Sequence, residues 1–212
     1  LGFGYCKDYK RYLGDLALPA VADVPYASGA GIMVRSSFMR EHGSWDEDFF
    51  MYHEDMDFSL RARIMGLRAV MVRDSHLYHK YEFSKSISKY YWMERNWFGV
   101  LLRYFRWPTL VLVTPGLLIM ELGTFFSAVR SGWWKEKIKV YRYWAQPSSW
   151  KLWIGKRRKS QRMRVAKDKD LLASATGRIL FQEDAMESPL LKYIANPFFS
   201  AYAWVVKKIV VW

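Results

Sequence analysis

An α/β domain followed by membrane-associated helices is the architecture predicted for this 212-residue chain, and three observations predict it. Short runs with strand character alternate with helix-like stretches up to about Arg106. From Thr109 to Val129 a run of 21 residues carries one charge, Glu121. A basic, aromatic-rich tail then extends to Trp212. The length allows one domain, or a modest domain with an appendage. The divisions fall at residues 1–105, 106–134 and 135–212.

Pro25-Tyr26-Ala27-Ser28 leads into Gly29-Ala30-Gly31 and the strand-like Ile32-Met33-Val34. The small residues around Ala30 admit close approach by a backbone or a ligand, and a plain tight turn accounts for them equally. Glu54 to Met65 reads as a helix. Asp55 and Asp57 lie in its first turn, Asp57 and Arg61 are spaced to pair at i,i+4, and Gly66 stands where a C-cap belongs. The apolar run Ala69-Val70-Met71-Val72 predicts a short buried strand. Ser86 to Tyr104 returns to helical spacing, with Tyr90, Met93, Trp97 and Leu101 along a packing stripe.

A bilayer-spanning helix needs roughly 20 apolar residues, which the Thr109–Val129 run supplies. Trp107 precedes it and Trp133-Trp134 follow it, as an aromatic belt would. Pro115-Gly116 offers a break, so a single span and a re-entrant or interface-lying hairpin are both open. Lysines and arginines flank both ends and leave the orientation unset. Further on, Lys151 to Lys169 holds nine Lys/Arg against one acid, Asp168. Such a cluster binds anionic lipid headgroups or nucleic acid, and its place after the apolar run favours lipid. From Asn196 the chain is too short to span unaided and reads as an interfacial segment. Cys6 is the sole cysteine, which excludes an internal disulfide. The chain begins at Leu1 without a basic-then-apolar leader pattern, and is expected to be the C-terminal piece of a longer protein.

The formal net charge is +13, yet six carboxylates fall within the twelve residues from Asp46 to Asp57. Carboxylates crowded beside Phe49, Phe50, Met51 and Tyr52 repel one another and lose water, which raises their proton affinity. That is how a general base is tuned. An acidic loop opening a helix whose N-terminus welcomes negative charge is the alternative.

The stretch SGAGIMVRSSFMREHGSWDEDFFMYHEDMDFSLRARIMGLRAVMVRDSHLYH resembles the C-terminal half of the catalytic domain of family 2 glycosyltransferases, rhamnosyltransferase-type members most of all. The likeness runs from about Val24 to Phe105 with its elements in family order: the small-residue turn, Trp45-Asp46-Glu47, Phe-Phe-Met-Tyr, the acidic pair, Asp57, Arg61, Gly66, a strand, His79 with Ser84 beyond it, and Arg95-Asn96. The resemblance implies a GT-A, Rossmann-like fold that binds a nucleotide-sugar donor and a divalent metal, Mn2+ or Mg2+, and inverts the anomeric centre. It makes Asp55 the general base and gives Glu54 the task of binding or orienting the acceptor. His79 takes the metal-ligand position. Ser28, Gly29 and Ala30 match an acceptor-side wall; Trp45 is open to stacking on a sugar face or to core packing, and Arg95, with Asn96 a substrate-contact candidate, to offsetting the diphosphate charge or to an i,i+4 salt bridge on its helix.

The implied setting is the cytoplasmic face of the cell membrane, with an anionic membrane surface and a lipid-linked or cell-surface glycan acceptor as partners and no nucleic acid. The family's aspartate-rich metal motif and nucleotide-binding half are expected upstream, which leaves the metal site incomplete in this chain. A non-catalytic membrane scaffold on the same half-fold is the alternative.

Overall fold

In the computed structural model, residues 11–79, 87–179 and 189–212 are described. Cys6 and Ser84 lie outside them. Strands β1 (Val21–Asp23) and β2 (Val70–Val72) pair antiparallel, with Ala22 opposite Met71. Flanking bonds from Val24 N–H to the Ala69 carbonyl (2.9 Å) and from Arg73 N–H to the Ala20 carbonyl (3.0 Å) lengthen the ribbon. The buried strand expected at Ala69–Val72 is instead a surface ribbon, because two strands alone leave Val70 and Val72 uncovered, 38% and 46% exposed. Ile32-Met33-Val34 forms no strand: it has no ladder partner among the described residues, and Met33 is fully exposed. The α/β expectation is therefore met only in this ribbon, and the described residues are otherwise mostly helical.

Helix α1 (Ser36–His42) precedes a 3-10 turn, Glu47–Phe49, and α2 (Glu54–Ile64) follows. Gly66 ends α2 at φ +82, with its N–H on the Arg63 carbonyl, as the C-cap spacing predicts. The spacing also predicts an Asp57–Arg61 pair, and that pair does not form. Arg61 donates to the carbonyls of His42, Gly43 and Ser44, holding the loop after α1. Asp57 is fully buried against Arg103 at 2.8 Å and the Tyr104 hydroxyl at 2.8 Å. A helix-surface pairing rule loses here because both side chains lie inside the fold and turn to partners on other elements.

The spine is α3 (Lys89–Tyr104), buried along most of its length from Glu94 onward. It crosses α5 (Trp134–Ala145) and α6 (Pro147–Arg162), and α2 packs on it. The α3–α6 crossing is close: a Cβ on Gly99 would stand 2.3 Å from the Trp153 ring. Phe49, Met56, Leu60, Ile64, Val100, Tyr104, Trp153 and Leu171 make the main core around it.

Helix α4 (Trp107–Arg130) runs unbroken through Pro115, so the break offered by Pro115-Gly116 is not used. Proline removes one N–H, a loss a long helix absorbs when neighbours support it. Helix α8 (Asn196–Ile209) packs against α4 beside this point, its Tyr202 ring filling the space over Gly116 and its hydroxyl donating to the Leu112 carbonyl, while the carbonyl that the proline leaves without its N–H is that of Val111, on the exposed side. Val111, Leu118, Leu122, Phe126 and Val129 remain exposed along α4.

The basic run is divided rather than uniformly solvated. Lys156 turns inward to Asp46 and Asp48, and Arg157 donates to the Leu102 and Phe105 carbonyls. Arg164 pairs at 2.9 Å with buried Asp168, at the start of α7 (Asp168–Ala173). Lys151, Arg158, Lys159, Arg162, Lys167 and Lys169 stay exposed.

Candidate active site

One face of α2 docks the segment that carries the small-residue turn. Arg63 donates to the Pro25 carbonyl (3.2 Å), Ser59 Oγ accepts from Ala27 N–H (3.1 Å), and Asp55 Oδ2 accepts from Gly29 N–H (3.1 Å). Residues 55, 59 and 63 are one turn apart, so the helix presents them in a row. The structure thus brings the Ser28-Gly29-Ala30 turn onto Asp55 across 26 residues of sequence. The contact is through the backbone: a Cβ on Gly29 would make only ordinary contact with Asp55 Cβ, at 3.6 Å. All three turn residues are exposed, and the Gly31 N–H closes the turn on the Ser28 carbonyl.

Asp55 is half-buried, and its other oxygen accepts from Met56 N–H at 2.7 Å. Two N–H donors fix the carboxylate plane while each oxygen keeps a second lone pair for a proton or a hydroxyl. The first helical turn adds favourable dipole at the same place. Glu54 is also half-buried, and one carboxylate oxygen, Oε2, accepts no hydrogen bond among the described residues. Burial pushes its carboxyl up from the usual range, and the neighbouring Asp55 charge pushes the same way.

The chain reaches these acids through a strained loop. Phe50, Tyr52 and His53 have φ of 61°, 64° and 66°, and none is Gly or Asn. Buried Asn96 holds the loop: its Nδ2 donates at 2.8 Å to the carbonyls of Phe49, Met51 and Tyr52. Arg95 reaches the Asp48 and Phe49 carbonyls and bonds Asn96 Oδ1 at 2.9 and 2.7 Å. Both residues of the Arg95-Asn96 pair are thus buried and spend their polar atoms on the loop backbone. Asp46 anchors the loop's beginning, with Arg103 and Lys156 on its carboxylate at 2.8 and 2.7 Å. Trp45 stacks on Phe58 of α2, ring centres 4.5 Å apart, as half-buried packing.

His79 lies on the exposed segment after β2. Two residues earlier Leu77 covers Gly31, so this segment runs beside the small-residue turn. Among the described residues no three His, Cys, Asp or Glu side chains are clustered to hold a cation. The turn, the acid pair and the Arg95-Asn96 helix therefore converge on one region, with His79's segment at its edge.

Residues 16–209 match the family model described as glycosyl transferase family group 2. The chain belongs to that family. No curated protein and no solved structure matches it. Membership of the glycosyltransferase group makes transfer of a sugar from a nucleotide-sugar donor to an acceptor the general chemistry of the chain. The loop strain and the Asn96 clamp are the parts of the site that local sequence signals missed. A γ- or left-handed turn is ordinarily flagged by Gly or Asn, and Phe-Met-Tyr-His contains neither.

Proposed function

We propose that this chain is the acceptor-side, membrane-docking part of an inverting glycosyltransferase in which Asp55 is the general base. The observation that carries the reading is the Asp55 carboxylate, oriented by Gly29 N–H at the edge of an exposed small-residue turn. An acceptor hydroxyl seated on that turn gives its proton to Asp55 as its oxygen bonds the anomeric carbon. The bond from that carbon to the diphosphate oxygen breaks as the new one forms, and the configuration inverts. Glu54 lies beside the base and orients the acceptor; its Oε2 is buried and has no hydrogen-bond partner among the described residues. Arg95 and Asn96 act as positioning residues by fixing the loop that delivers both acids. The donor and its diphosphate are held by a half of the enzyme outside this sequence. A divalent cation there would neutralise the leaving diphosphate, with His79 as the ligand this chain contributes and the remaining ligands from the donor half.

The membrane side of the proposal rests on α4, which is long and apolar enough to cross a bilayer by length and composition and keeps most of its surface exposed. Twenty-four residues of helix extend about 36 Å at 1.5 Å each. Trp107 and Trp134, exposed at its two ends, suit the two interfaces, and the outward lysines and arginines of the α6–α7 region suit anionic headgroups. The cytoplasmic face, where nucleotide sugars are found, and a lipid-linked or cell-surface glycan acceptor complete the reading.

The test is Asp55→Asn in the full-length enzyme, reconstituted in anionic vesicles and assayed for labelled-sugar transfer. Transfer is lost while helical circular dichroism and vesicle flotation are kept. Transfer near the wild-type rate would remove Asp55 from the mechanism.

A further inference from the structure

Phe49 and Phe50 are adjacent, yet they go opposite ways. Phe49 is fully buried against Trp153, whereas Phe50 is 68% exposed. The backbone reverses between them in a γ-turn of the rare positive-φ form: Phe50 has φ 61°, ψ −62°, and Met51 N–H bonds the Phe49 carbonyl at 2.7 Å. An aromatic side chain is a costly choice for that conformation, and a solvent-facing aromatic gains little core burial in return. The turn is imposed by Asn96 and Arg95, which grip the carbonyls on both sides of it. Strain that surrounding residues over-determine points to a function for the strained side chain.

The Phe50 ring does not hang free. It rests on Trp92 of α3, ring centres 4.8 Å apart and tilted by 39°. Trp92 is itself fixed by the Arg95 guanidinium 4.4 Å from its ring centre. Arg95 therefore sets both the turn and the ring beneath it. The result is a rigid aromatic shelf, exposed at Phe50, on the loop that leads within five residues to Asp55.

We infer that the Phe50–Trp92 shelf is an acceptor subsite that takes the apolar C–H face of a pyranose ring. The inference rests on the reading of Asp55 as the base, because an acceptor sugar must place its hydroxyl at that carboxylate. A pyranose fits the chemistry of the place. Its C–H face meets an aromatic plane while its hydroxyls reach the acids and the exposed backbone of the Ser28–Ala30 turn. The shelf selects by ring face, which accounts for an aromatic at a backbone position that Gly would fill without strain.

The test uses the full-length protein in nanodiscs and saturation-transfer NMR with soluble methyl pyranosides: the methyl glycosides of rhamnose, glucose, galactose and N-acetylglucosamine. At least one is expected to receive saturation on one ring face. Phe50→Gly and Trp92→Ala weaken that binding about tenfold, and Phe50→Tyr keeps it. Phe50→Gly should also raise the melting temperature by relieving the turn, so a loss of binding in this variant is not a loss of fold. Equal binding by Phe50→Gly and wild type, or no binding of any pyranoside to wild type, overturns the inference. Loss of anionic-vesicle flotation in Phe50→Gly with pyranoside binding kept would make the shelf a lipid contact and overturn it too. Failure here with Asp55→Asn still inactive removes the shelf alone. An active Asp55→Asn removes the base assignment whatever the shelf binds.

Discussion

Replacing Asn96 with Ala separates holding the active-site loop from holding the fold together. The Asn96 amide has two N–H groups facing three carbonyls, each at 2.8 Å, so it supplies two net hydrogen bonds shared among three acceptors. Losing them costs about 1 kcal/mol each, and carbonyls left buried without a donor add a further ~1 kcal/mol. Against this, relaxing the turn at Phe50 returns roughly 1–3 kcal/mol. The two contributions nearly cancel, so the melting temperature should fall by only a few degrees. Activity does not share the cancellation, because a relaxed loop no longer delivers Glu54 and Asp55 to one place. A displacement of about 1 Å at a reacting group costs about 10²-fold. Asn96→Ala is therefore expected to lose roughly two orders of magnitude in kcat with a small change in melting temperature. Asn96→Asp, which keeps the bonds to Arg95 but has no donor for the carbonyls, should be at least as inactive. Transfer assays beside thermal melts of the detergent-solubilised enzyme read both quantities. An unaltered kcat, or a collapse in stability that accounts for the whole loss, would refute the positioning role.

Three further perturbations have signs set by the structure. Glu94, buried beside Lys137 at 2.8 Å, has its carboxyl pushed up to about 7, burial outweighing the lysine, with Glu121 adding to the rise. A carboxyl raised in the folded state binds its proton more tightly there than in the unfolded chain. Stability then falls as pH rises from about 4.5 to about 7, by about 3 kcal/mol in all. Glu94→Gln should flatten the melting temperature between those pH values relative to wild type, and parallel curves would count against it. Gly99→Ala drives a methyl into Trp153 at the α3–α6 crossing and should destabilise by about 1–3 kcal/mol, read as a lower melting temperature. Lys156→Ala removes one of the two cations on Asp46 and the one on Asp48 and loosens the start of the loop, so kcat should fall more than vesicle binding does, which flotation beside transfer assays will show.

Legibility in the sequence followed the range of the interactions. Helix α2 and its stop at Gly66 were readable because capping and spacing are local, and α4 because a long apolar run needs no partner to be recognised. Asp57 and Lys156 were not readable in their final roles, since their partners are 46 and 110 residues away and a charged residue does not announce which opposite charge it will meet. Lys151–Lys169 is not a single outward-facing run, because Lys156 and Arg157 turn to partners 52 to 110 residues away and Arg164 turns to buried Asp168 one helical turn on. The strand expected at Ile32–Val34 failed because apolar residues make a strand only where an edge is present to pair with. Within the site, the approach of Gly29 to Asp55 came from the order of motifs in the family and had no local signal. The turn at Phe50 had none either, because its geometry is imposed by Asn96, 46 residues later.

The most direct test of Asp55 as the base is a side-by-side measurement of single-turnover transfer by Asp55→Asn and Glu54→Gln in the full-length enzyme. General-base removal costs about 10²–10⁴-fold, so Asp55→Asn should fall in that range with acceptor KM little changed. Glu54→Gln should mainly raise the acceptor KM. The reverse order, with Glu54→Gln the slower by orders of magnitude and Asp55→Asn near wild type, would contradict the assignment.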